Sequence, residues 1–517
     1  MTDDVTFYDE IEAYCGRQSY RPGDSATVHV STSADRFDVR VERWGATREH
    51  VWSAADVAGQ FHAVPEGADA TGCGWPAALE IPVGDDWRSG FYLVIVTAVG
   101  APSGRDTAHA YFVVRPGTRK ADALLVLATN TWNAYNQWGG ASLYTGGNTV
   151  SFQRPMARGL LCRPEVERDD RKAYPPRWGE DADPDGEIYQ AYRMANGYPG
   201  SIGSSGWFTF ERRFVEWAEG NGYELDYVVQ ADLDADPSVA DGYALLLGVG
   251  HDEYWTAAER AAVEAHVASG GHYASFSGNT MFWQVRLEPG PGTDHDTMIG
   301  HKYKAHETDP VVAAGQAETM SGMWCDPLVG RPEWSFLGAG SAFGLYARFG
   351  SAVARGSGAF TVYRDDHWLL DGTGLRYGDL LGARNGVVGY ETLGCRLQFD
   401  EYQLPVAAPM DGMPAEVEVV AFAPSSNLGM GDYPKSISAK SDQGDLEFIA
   451  SRYLGSTDPD ALAKIRHGSA VMVVAHPFAD GGEVVTVGTT DWVFGLATDP
   501  AVAKVTANVL DRLLGEG

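Results

Sequence analysis

Residues 243–283 read YALLLGVGHDEYWTAAERAAVEAHVASGGHYASFSGNTMFW. The opening run, Tyr243 to Val249, is continuously apolar and of strand length, the pattern of a strand covered on both faces of a sheet. A helix is signposted next. Thr256 stands at the N-cap, Glu259 completes a capping box, Ala262, Val263 and Val267 share one side, and Gly270-Gly271 is the stop. HYASFSG, His272 to Gly278, reads as a second strand. Strand, helix and strand in this order imply a right-handed crossover between parallel neighbours.

The same grammar continues on both sides. LLVLAT, Leu124 to Thr129, is another buried strand, Trp207 to Gly220 a helix and Glu224 to Val229 a strand. Toward the end, SAVMVVAH and EVVTVGT read as strands, and Pro500 to Leu514 as a closing helix. Residues 1 to about 117 differ. Short alternating runs at Ser25 to Val30, Phe37 to Val41, Leu79 to Val83 and Phe91 to Val96 are separated by turn residues, which predicts a small β-sandwich. Val114 to Ala121, VRPGTRKA, suits a linker. Residues from about 290 to 425 are rich in glycine, with strand-like pieces at Phe360 to Tyr363 and Gly386 to Tyr390, and read as an insertion or sheet extension. The expected fold class is α/β. An N-terminal β-sandwich over 1–117 precedes, over 118–517, a doubly wound, glutamine-amidotransferase-like parallel-sheet domain with a β-rich insertion.

Bulk properties remove several function classes. The formal net charge of -31 repels phosphate backbones and anionic lipid headgroups, so neither nucleic acid nor a membrane surface is an expected partner. No window approaches the roughly 18 apolar residues of a membrane span. The start, MTDDVTFYDEIEAYCGRQ, lacks the basic, apolar and small-residue segments of a secretory signal, which points to a cytoplasmic protein. Five scattered cysteines with no C-x-x-C pair are read as reduced and buried.

Ligands of open α/β sheets bind beyond the carboxyl ends of the parallel strands. Three such exits carry polar groups: NTWNAYNQWGGASLY (Asn130 to Tyr144), HDEYW (His251 to Trp255) and NTMFWQ from Asn279. Each has an ordinary alternative. Tyr135 and Tyr144 could pack with satisfied hydroxyls, and Asp252 and Glu253 could serve the macrodipole of the following helix. Thr256 already fills the cap, however, which leaves His251, Asp252 and Glu253 without a structural duty. There is no G-x-S-x-G elbow and no H-E-x-x-H, and no cysteine follows a strand as a nucleophile. Phenolate with carboxylate remains, a hard anionic donor set suited to Fe(III).

GHDEYW (Gly250 to Trp255) and SGNTMFW (Ser277 to Trp283), supported by NAYNQ, GASLY, RPMARG and TVGTTDWVFGL, resemble the large, catalytic subunit of N,N-dimethylformamidase and its relatives. The resemblance implies a hydrolase that cleaves the C–N bond of a small, formamide-like amide. It also implies a mononuclear Fe(III) bound by Tyr135, Tyr144 and Glu253. His251 and Asn279 fall on polar positions around the ion, and Glu391, in GYETLG, resembles a further acidic site residue. The family pairs its large chain with a small helical subunit, and its large chains associate, so a homo-oligomer with a possible small subunit is expected. Trp132, Trp138, Trp255 and Trp283 are expected to line the pocket.

Two rival readings stay open. One is a different metal enzyme, a non-haem iron oxygenase or a zinc hydrolase using His251 in place of a tyrosine. The other is a binding protein without catalysis.

Overall fold

The computed structural model describes residues 10–101, 104–118, 121–165, 193–290, 293, 295–347, 358–432 and 444–515. The protein is mixed α/β with several sheets and, among the described residues, no barrel. The chain gathers into two compact units. The first takes in the described residues up to 165, 193–239 and 285–301, and the second 240–284 and those from 302 onward. Residues 119 and 120 of the expected linker lie outside the described residues.

Two sheets form the N-terminal part of the first unit. One is antiparallel, in the order Ile11–Cys15, Ser25–Thr32, Ala77–Pro82. The other runs Ser19–Tyr20, Thr107–Val114, Gly90–Ala98, Arg36–Trp44, Arg48–Ala58, and only its first pair is parallel. Alternate side chains enter one shared core, Ala26, Val28 and Val30 from the first sheet and Val39, Val41, Val94, Val96, Phe112 and Val114 from the second. Each buried valine or phenylalanine contributes about 1.5–3 kcal/mol. The period of two in the sequence is therefore what makes these strands. Arg48–Ala58 carries little apolar alternation and is largely exposed, so pairing with Arg36–Trp44 holds it.

In the same unit Ala123–Leu127 pairs in parallel with Leu225–Val229, and every residue of both strands is buried. The helix expected from Trp207 begins at Glu211. Residues 207–210 form turns instead, because Trp207 lies flat on Phe91 with ring centroids 4.0 Å apart, and packing overrides helical preference there. Arg43 grips Glu219 of that helix through both terminal nitrogens (3.0 and 2.6 Å), and the Tyr227 hydroxyl donates to the same carboxylate at 2.6 Å.

The sheet of the second unit runs Leu245–His251, His272–Gly278, Val484–Thr486, His467–His476, Glu416–Ser426, Phe360–Val362, Leu380–Leu381. Its first three strands are parallel and the rest antiparallel. His467–His476, antiparallel to both neighbours, corrects the expectation that the C-terminal strands repeat the crossover grammar, while Val484–Thr486 keeps the parallel direction. Only residues 477–483 join His476 to Val484, too few for a parallel crossover. Gly386 to Tyr390 is not a strand, since Gly386 (φ 59°) and Gly389 (φ 155°) break the pleat. The helix Ala257–Ala268 is as read: Thr256 accepts the N–H of Glu259 at 3.1 Å and the Glu259 carboxylate returns to the N-cap backbone. The closing helix, Pro500–Leu513, is capped by Asp499 and buries Val502, Val505, Val509, Leu510 and Leu513.

Candidate active site

The strand Leu245–His251 delivers His251 at its last residue, and Glu253 follows in the turn before the helix. Its parallel neighbour ends at Gly278, where a Cβ would fall on the backbone of Glu391 and Thr490. Only glycine lets the Glu391 loop settle on the strand end. The next residues turn sharply, with Asn279 (φ 52°) and Met281 (φ 59°) in the left-handed region that non-glycine residues rarely enter. The hydroxyls of Ser275, Ser277 and Thr280 pin that turn with mutual hydrogen bonds of 2.7 Å from Ser277 to each neighbour. Backbone strain held this firmly is characteristic of functional sites.

These elements bring four side chains together. His251 Nε2 lies 2.6 Å from Glu391 Oε2 and 3.3 Å from Glu253 Oε2. One ligand atom from each of His251, Glu253 and Glu391 falls within 4.8 Å of the others, and all three residues are buried. Asn279 Nδ2 donates to Glu391 Oε2 at 2.9 Å and approaches His251 Nε2 at 3.4 Å, while its Oδ1 accepts from Ser341 Oγ at 2.7 Å. The Trp283 indole donates to Glu253 Oε1 at 2.8 Å, which leaves Oε2 as the oxygen turned toward His251. Glu253 is thus no helix-capping acid, because Thr256 performs that task.

Sequence reasoning missed three members of this cluster. Lys302 is buried with φ 54°, and its ammonium stands over the rings of Tyr254, Trp283 and Tyr303 at 5.4 to 5.6 Å. Burial drives it down to about 8, against the attraction of Glu253, Asp445 and Glu391. Asp445 accepts from the hydroxyls of Tyr303 and Tyr346, each at 2.7 Å, and Tyr346 bridges to Glu391 through the backbone. Ser341 is the third. The one signal available was a lysine among aromatics in GHKYK, within a chain otherwise dominated by acids.

Tyr135 and Tyr144 belong to the first unit. Tyr135 closes the short helix Thr129–Tyr135 and is buried, while Tyr144 is 39% exposed. Their rings stack at 4.2 Å with planes 25° apart. Of the tryptophans expected at the pocket wall, Trp283 touches the cluster through Glu253, and Trp132, Trp138 and Trp255 are buried. Trp132 donates to Glu211 at 2.8 Å, Trp255 to the Asp252 carbonyl at 3.1 Å, and Trp138 meets Trp75 edge-on at 5.8 Å.

The chain matches the family model described as N,N-dimethylformamidase beta subunit-like, C-terminal, over residues 38–506. It is also similar to the N,N-dimethylformamidase beta subunit of an Alcaligenes species, 26% identical over 228 residues. That alignment takes in 42% of this chain and 29% of the relative, so the match spans less than a third of the relative's length.

Proposed function

The chain belongs to the N,N-dimethylformamidase beta subunit-like, C-terminal family, and from that premise we propose that it is the large, catalytic chain of an amide hydrolase. The bond cleaved is the C–N bond of a small, formamide-like amide. One observation carries the reading: His251, Glu253 and Glu391 converge, buried, with the Asn279 amide bonded to Glu391. Collecting ionisable groups away from water is unfavourable unless a counter-charge or a function holds them there. Among the described residues, the carboxyl groups of Glu253, Glu391 and Asp445 act on the Lys302 ammonium, and a site richer in carboxyl groups than in ammonium groups suits a bound cation.

In this reading Fe(III) would be held by Tyr135, Tyr144 and Glu253. Phenol and carboxylate oxygens suit a hard ion, the two phenol rings already lie together, and Glu253 has one oxygen fixed by an indole. When bound, the ion supplies Lewis acidity toward an amide carbonyl oxygen and a water molecule. The protein groups do the rest. Glu391 accepts the proton of the attacking water, and His251, 2.6 Å from that carboxyl, relays it to the departing amine nitrogen. Asn279 Nδ2 keeps one hydrogen on Glu391, on the side where His251 also lies, and the other bonds the carbonyl oxygen as negative charge develops.

The two N-terminal sheets are read as a β-sandwich module and the parallel strands beyond them as a doubly wound, amidotransferase-like core. The relative's description as a beta subunit supports a partner subunit, and the same reading takes that partner to be small and this chain to self-associate. A cytoplasmic setting is supported by five free cysteines. Among the described residues no helix is long and apolar enough to cross a membrane.

A second reading is favoured by the same cluster, since His251, Glu253 and Glu391 by themselves make a nitrogen and oxygen set that suits zinc. Elemental analysis and a visible spectrum of the purified protein, with a screen of formamides for released amine, decide between the two. Iron, a phenolate charge-transfer band and released amine support the first reading. Zinc without colour overturns it in favour of the second.

A further inference from the structure

Between Tyr135 and Tyr144 the chain leaves its helix and runs through NQWGGASL, a stretch with no apolar period to hold it in shape. What holds it is Arg154, which is buried. Its Nε donates to the Ser151 carbonyl at 3.0 Å. Nη1 donates to the carbonyls of Trp138 (2.6 Å) and Ala141 (3.5 Å), and Nη2 to the Asn136 carbonyl (2.9 Å) and Asn133 Oδ1 (3.4 Å). All five N–H groups of the guanidinium are used, and none by a carboxylate. Asp69 acts on the charge from further away while its own Oδ2 accepts the Ala141 N–H at 2.9 Å.

A buried cation met only by neutral oxygens is a poor device for stability, because an apolar side chain of similar volume would fill the space without the desolvation cost. Its donors instead describe a template. Asn133 and Asn136 lie on either side of Tyr135, and Ala141 and Ser151 on either side of Tyr144. The Leu143 N–H, bonded to the Ala134 carbonyl at 3.1 Å, closes the loop at the same point. With both ends held, the two rings stack.

We propose that Arg154 is a positioning residue that preforms the Tyr135–Tyr144 pair, an inference that rests on the reading of those phenols as metal ligands. The test uses the full chain, freed of metal by chelation, with wild type compared with Arg154→Lys and Asn133→Leu. Brief photo-oxidation couples neighbouring tyrosines, and mass spectrometry counts the Tyr135–Tyr144 cross-link. Tyr363 and Tyr377, 5.6 Å apart in the second unit, serve as an internal control for intact fold. Lysine has at most three donors and no planar fork, so Arg154→Lys is expected to lower the Tyr135–Tyr144 yield severalfold, with the control yield unchanged. Asn133→Leu sets an apolar group against Nη2 and should lower it less. An undiminished Tyr135–Tyr144 yield in Arg154→Lys, with the control intact, overturns the proposal. If Arg154→Lys loses the control pair as well, an undiminished yield in Asn133→Leu overturns it. Iron binding is scored separately, by the visible band on adding Fe(III). A wild type that cross-links but never colours sinks the ligand reading and leaves the positioning role standing.

Discussion

The cluster around His251 and the loop around Tyr135 solve the same problem, holding polar groups in fixed positions, by opposite means. In the second unit the groups gather where parallel strands end, buried and fastened by one another: Glu391 to His251 and Asn279, Asn279 to Ser341, Glu253 to Trp283. In the first unit one arginine holds a loop through main-chain carbonyls, and one of the two phenols stays partly open to solvent. The regular sheet aims side chains by its pleat and tolerates left-handed residues because surrounding bonds over-determine them. The loop has no such frame and needs a single multi-donor group. Proton transfer should therefore reside in the second unit, and the first should affect only what is bound.

The largest effect tests that division. Glu391→Gln keeps the shape and the bond from Asn279 but removes the proton acceptor, so amide turnover is expected to fall by about a thousandfold with metal content unchanged. Single-turnover rates and metal analysis on the same sample give the answer. If turnover survives in Glu391→Gln while Tyr144→Phe abolishes it at full metal loading, the assignment of chemistry to the second unit is wrong.

The next effect concerns pH. Burial pushes the Glu333 carboxyl up to about 7, against Arg260 and the N–H groups of its own residue and of Ser341, the residue that holds Asn279. Between its unfolded value of 4.5 and about 7 the folded protein binds the extra proton. Stability therefore falls as pH rises through this window, and the full penalty remains above it. The shift corresponds to about 3 kcal/mol. Glu333→Gln should match wild type near pH 4.5 and exceed it by up to that amount at pH 8 in denaturant melts. The comparison sharpens if the gap opens in this window, and a gap independent of pH would mean that the carboxyl is not buried as described.

Trp283→Phe probes the fastening of Glu253. Losing the indole N–H removes that hold on Oε1, and metal affinity is expected to fall by about 10 to 100-fold, as for other groups that orient a ligand. Competition with a chelator measures it. No change would mean that Glu253 is held by its other contacts.

The parts of this arrangement that the sequence disclosed are those where a period is interrupted. His251, Glu253 and Asn279 stand out because each follows an apolar run whose length announces a strand. Tyr135 and Tyr144 stand out because a loop of aromatics and amides follows another. Glu391 came only through the family resemblance, since GYETLG sits among glycines that set no direction for a side chain. Lys302 and Asp445 were not legible. Lys302 owes its inward aim to a left-handed backbone that no local pattern encodes, and Asp445, at the start of a short helix, looks like any helix-starting acid. The direction of His467–His476, antiparallel to both its neighbours, was not legible for a different reason, since an apolar run reports burial on both faces and says nothing of direction.

The smallest effect addresses the one ambiguity that HDEYW carried from the start, whether its acids serve the helix or the site. Thr256→Ala removes the N-cap acceptor of Ala257–Ala268 and should lower stability by about 1 kcal/mol. Metal affinity should be untouched, because Glu253 is oriented by Trp283 and His251 rather than by the cap. A Glu253 that served the helix would respond differently. Glu253→Gln would then cost a similar amount and add to Thr256→Ala in the double variant, with metal content unchanged in all three proteins. Loss of metal in Glu253→Gln alone, with Thr256→Ala affecting only the melt, separates the carboxylate's duty from that of the helix it precedes.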